Sequence, residues 1–101
     1  MTDERFQMIM EEQINYCKEL LTSKNKEYKG ETDRLHTFKA AAVVEGCSMK
    51  QALAGMMVKH TISVYDMCRE GEYSADKWTE KITDSINYLL LLKAMVMEDE
   101  Q

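Results

Sequence analysis

The chain has 101 residues, 45% of them hydrophobic, with no proline and four glycines. That composition fits one domain over 1–101, excludes a disordered chain, and lends little to the many turns of an all-β fold. A formal charge of −5 argues against coating extended nucleic acid, which needs an excess of Lys and Arg, but a single nucleotide needs only a local cluster.

The first predicted helix runs from about Asp3 to Tyr28. Thr2 is its cap, and Asp3 and Glu4 suit the positive end of the helix dipole. Phe6, Met10, Ile14, Cys17 and Leu21 recur at spacings of four and three, an amphipathic stripe, and Gly30 is placed to stop the helix. Glu11 sits on the flank of that stripe, facing either a groove or water, whereas Glu12 points away from it. Near the end, KNKEYK puts Lys24, Asn25 and Tyr28 back on the inward line. Arg34, His36 and Lys39 follow, making the only locally basic stretch of an acidic chain. Such a cluster suits a phosphate, or places cations against a helix C-terminus.

A second, short helix is expected from Asp33 to Glu45, capped by Thr32, closed by Gly46, and turning Leu35, Phe38 and Ala42 inward. A third starts at Ser48, with Gln51 completing a capping box, and runs to Glu70 before Gly71. On it Lys59, Ser63 and Asp66 form a polar strip beside the apolar line of Ala52, Met56 and Met67. Lys59 is a phosphate-binding point charge or half of a boundary ion pair, and His60 reads as a hydrogen-bonded boundary histidine.

The fourth helix starts after Ser74 and continues to about Glu98. Trp78, Ile82, Ile86, Leu89 and Val96 make one apolar stripe; Leu91 and Met95, flanked by Tyr88, make another on the opposite side, so the second half of the helix needs cover on two sides. One turn earlier the second side carries Glu80, Asp84 and Asn87. Two carboxylates four residues apart repel each other, a cost that a bound cation removes; alternatively that turn faces water. The four helices, joined by short connections, predict an all-α antiparallel four-helix bundle completed by oligomerisation as a homodimer or larger assembly.

Three cysteines without ligand spacing argue against zinc and thiol catalysis, and there is neither a Walker loop nor a GxGxxG. The acidic start MTDERFQ shows no signal peptide, and the longest apolar run, Leu89 to Leu92, is too short for a bilayer; a cytoplasmic protein with free thiols is the expectation.

The stretch Glu80-Lys-Ile-Thr-Asp84-Ser-Ile-Asn87-Tyr88 resembles the last core helix of MazG-like, all-α nucleoside triphosphate pyrophosphatases. Together with KNKEY it also resembles small phage proteins of the nucleotide-modification-associated type. The resemblance implies an oligomeric helical bundle, a magnesium ion held by acidic residues on two helices, and hydrolysis of a (d)NTP to monophosphate and pyrophosphate. By position, Glu80 and Asp84 match the catalytic, metal-binding carboxylates, with Glu11 and Asp66 as further ligands. Lys24 and Lys59 would neutralise phosphate, and Asn25, Tyr28 and Asn87 would orient the nucleotide. Lys81 and Asn15 stand where the pattern has glutamates. The alternative is a non-catalytic accessory module that binds a nucleotide or a protein partner.

Overall fold

The computed structural model describes the backbone of residues 1–27 and 33–99, and the side chains of 1–22 and 33–99. These residues form four helices and no strand: α1 (Asp3–Glu27), α2 (His36–Glu45), α3 (Met49–Glu70) and α4 (Ala75–Asp99). The protein is thus an all-α helical bundle, and no described helix is long and apolar enough to cross a membrane.

The helix ends follow local chemistry. Thr2 Oγ1 accepts from the Arg5 amide at 3.1 Å, and Ser74 Oγ accepts from the Lys77 amide at 3.2 Å. At α3 the capping box closes in both directions: Ser48 Oγ accepts from the Gln51 amide at 3.1 Å, and Gln51 Oε1 accepts from the Ser48 amide at 2.9 Å. Gly46 and Gly71 end α2 and α3 with φ of 69° and 75°, the left-handed conformation that a side chain disfavours.

The start of α2 differs from the sequence expectation. The helix begins at His36 rather than Asp33, and the Asp33 carboxylate accepts from the Leu35 amide at 2.9 Å. An Asx turn has replaced the first helical turn. Lys39 also donates to Asp33, at 2.5 Å, and with the Leu35 amide holds its carboxyl below the usual range. The expected cap Thr32 and stop Gly30 lie outside the described residues.

The helices pack in the order α2, α3, α4, α1. Among the described residues α1 rests on α4 alone. Gln13 Nε2 donates to Thr83 Oγ1 at 2.7 Å, and Tyr16 lies within the field of Asp76. As α1 advances from Gln13 to Tyr16, its neighbour on α4 retreats from Thr83 to Asp76, so the two run antiparallel. The core joins the other three helices: Leu35 and Phe38, Leu53 at 1% exposure, and Met95 at 0%, with Met56, Tyr88, Leu91 and Leu92 packed around them.

Burial corrects the reading of the stripes. The side of α4 bearing Met95 and Leu91 faces the core, but on the other stripe Ile82 and Leu89 are exposed and Trp78, Ile86 and Val96 only half-buried. On α1, Cys17 is buried while Phe6, Met10 and Ile14 are exposed. The periodicity marked Phe6, Met10, Ile14, Ile82 and Leu89 as inward, yet they stand exposed, because α1 has a single neighbour, α4, among the described residues.

Candidate functional site

The polar strip on α3 exists and faces a groove. Lys59, Ser63 and Asp66 line one open cavity of about 380 Å³ with Glu70, Tyr73, Lys77 and Lys81. Helical spacing explains the set. Lys59, Ser63, Asp66 and Glu70 recur at four, three and four along α3, and Lys77 and Lys81 are four apart on α4, so each helix turns one polar edge to the same cleft. Tyr73 stands on the connection between them. Its hydroxyl donates to the Glu70 carboxylate, which raises the phenol above its ordinary range, and its ring meets Trp78 edge-on at 6.2 Å.

The groove is electropositive against an acidic chain: three lysines face two carboxylates. Lys59, Lys77 and Lys81 form no ion pair within 4.0 Å among the described residues. By contrast Lys39 and Lys50 are held by Asp33, Glu98 and Asp99, tying α2 and the start of α3 to the end of α4. Sequence reading missed Lys77, Lys81, Tyr73 and Glu70 as site residues. The i, i+4 pair of lysines was the available signal, but nothing in the sequence says which edge of α4 meets Lys59.

The α4 residues of the expected site, Glu80, Asp84 and Asn87, sit elsewhere. Asp84 turns toward His60, with Oδ2 3.9 Å from Nδ1, and both side chains are half-buried. His60 in turn stacks at a tilt on Tyr88, 5.2 Å between ring centres. Burial, and then the Asp84 charge, raise the Tyr88 phenol above its ordinary range. Glu80 is exposed, and neither it nor Asp84 lines the groove. Glu11 is exposed and accepts from Gln7 on its own helix. Among the described residues no three of His, Cys, Asp and Glu converge as a metal-binding group, so Glu80, Asp84, Asp66 and Glu11 are not assembled within one chain. The side chains of Lys24 and Asn25, and Tyr28 altogether, lie outside the described residues.

Asn87 is the surprise of the interior. It is 6% exposed, and both its amide nitrogen and its amide oxygen are buried without a hydrogen-bond partner. Its neighbour Thr83 shows the satisfied version: its hydroxyl accepts from Gln13 and donates to the Thr79 carbonyl at 2.6 Å.

Comparison of the chain with protein-family models, with curated proteins and with solved structures gives no match. The reading of the groove therefore rests on its own chemistry.

Proposed function

We propose that this chain is a cytoplasmic nucleotide-handling protein that holds a phosphorylated nucleotide in the groove between α3 and α4. One observation carries the reading: Lys59, Lys77 and Lys81, unpaired among the described residues, point at one 380 Å³ cleft beside Tyr73. A lysine without a carboxylate partner offers an uncompensated point charge, and phosphate is the common biological anion that matches several at once. The Tyr73 ring supplies an apolar face for a base or sugar, and Ser63 a short hydroxyl donor. Three free cysteines, Cys17, Cys47 and Cys68, are consistent with a reducing compartment.

The MazG-like reading adds turnover. Its support here is that Asp66 and Glu70, four residues apart on α3, stand in the same groove as the lysines. Magnesium usually keeps several waters and takes one or two protein carboxylates together with substrate phosphates. Asp66 and Glu70 would hold it in that way, and the ion would neutralise charge on the phosphates. The chain's own part is positioning: the lysines fix the phosphates, and Tyr73 fixes the other end of the ligand.

The test is a thermal-shift screen against the common ribo- and deoxynucleoside triphosphates, with and without magnesium, followed by assay for released pyrophosphate. A nucleotide at 100 times its dissociation constant stabilises by about 2.7 kcal/mol. The double variant Lys77→Ala, Lys81→Ala is expected to weaken binding at least tenfold while keeping its helical circular dichroism. Absence of any shift, or equal shifts in the variant, would overturn the assignment; binding without pyrophosphate release would leave the protein a nucleotide-binding module.

A further inference from the structure

The outward face of α3 carries apolar side chains where a surface helix normally carries polar ones. Val58, Ile62 and Tyr65 recur at spacings of four and three, so they lie along one line, and they are 52%, 53% and 64% exposed. They add nothing to the core, which α3 serves from its other side with Leu53 and Met67. Nor do they favour the helix, because β-branched and aromatic side chains lose freedom against the preceding turn. Gly55, one turn ahead of Val58, leaves open space where a side chain would stand. The result is an exposed apolar ridge whose near end a second helix can approach closely.

The ridge borders the lysine groove, and Ile62 belongs to both. Lys59, Lys77 and Lys81 on that side, and Arg69 one turn beyond Tyr65, form no ion pair within 4.0 Å among the described residues. Asp66 and Glu70 offset two of these four charges, and Glu70 is already engaged by the Tyr73 hydroxyl. An apolar seam edged by surplus cations is complementary to an apolar seam edged by carboxylates. A twofold contact between copies would instead pair the patch with itself, lysine against lysine.

From these observations we infer that the outward face of α3 docks an acidic amphipathic helix of another protein. That helix lies along Val58, Ile62 and Tyr65, with its carboxylates on Arg69 and the groove lysines. Recognition of a helix in this mode reads anchors at i, i+4 and i+7, the spacing that the ridge itself presents. Val58 and Tyr65 stand outside the groove, so the docking of a helix does not rest on the nucleotide reading.

The experiment is fluorescence anisotropy on the full chain with a labelled helical peptide of about 15 residues, roughly 22 Å long. The peptide carries leucines along one side and glutamates on both flanks; a second peptide has lysines in place of the glutamates. The glutamate peptide is expected to bind at least tenfold tighter than the lysine peptide, and to weaken as added salt screens the flanking charges. Val58→Ser with Tyr65→Ser is expected to weaken it at least tenfold while leaving any nucleotide-induced thermal shift unchanged. Leu89→Ser, at an exposed site on α4, is expected to bind as the wild type does. Should the double variant lose its helical circular dichroism, Arg69→Glu, which removes no apolar side chain, carries the same expectation. No binding, equal binding of the two peptides, or a folded double variant that binds as the wild type does overturns the proposal. Self-association of the chain that the double variant dissolves overturns it too, by giving the face to a second copy. A chain that shifts with a nucleotide but binds neither peptide overturns the docking alone, whereas binding of the glutamate peptide without any nucleotide shift supports the docking and sinks the nucleotide reading.

Discussion

Among the described residues, Asn87 is the side chain whose buried polar atoms have no hydrogen-bond partner. A buried amide with neither atom bonded forfeits about 1–3 kcal/mol per orphaned group relative to water, and both of its polar atoms are in that state. Leucine keeps the branched shape and removes the polarity. Asn87→Leu is expected to raise stability by about 1–2 kcal/mol after some overpacking, read as a higher urea midpoint at unchanged m-value. A lower midpoint would mean that the amide has partners in solution. The sequence put Asn87 on the same side as Glu80 and Asp84 and so marked it for a ligand, but it could not tell that Asp84 would face His60 while Asn87 turned into the interior. Those three residues lie within two turns, and their separation depends on tens of degrees of helix rotation, which neighbouring helices decide.

At the scale of the element, ends are local and faces are not. Ser48, Ser74 and Thr2 cap the helices they were expected to cap, because a hydroxyl and an amide three residues away need no tertiary context. The α2 start departed from expectation because Asp33 is itself a turn former, and a nearby lysine holds its carboxylate in that turn. Ser48→Ala removes one arm of the α3 capping box and is expected to cost about 1 kcal/mol, measured by denaturant unfolding. Ser48→Asp is expected to recover most of that loss, since aspartate caps as well as serine does. A serine variant without cost would show that tertiary contacts, rather than the box, hold the start of α3.

For the whole molecule, one small cluster carries three of the four helices. Leu53 is almost fully buried against Leu35, Phe38 and Met95, so truncating it opens a cavity that α2, α3 and α4 all border. Leu53→Ala is expected to cost about 2–5 kcal/mol, a large share of the ~5–15 kcal/mol that holds a typical domain folded. The measurement is urea unfolding followed at Trp78, on the far half of α4 from Met95. Loss of α2 with the remaining helices intact would show that α2 unfolds as a separate unit.

What the sequence determined alone is what repeats every three or four residues or ends within one turn. The four helices, the stops at Gly46 and Gly71 and the polar strip of Lys59, Ser63 and Asp66 are all of this kind. Only the tertiary structure decided which stripe meets which. It set Lys77 and Lys81 opposite that strip, turned Asp84 to His60, buried Asn87, and left Ile82 and Leu89 in water instead of the core. The physical reason is that a periodic pattern records a side chain's affinity for water but not its partner, and the choice of partner comes from the rotation and crossing of packed helices.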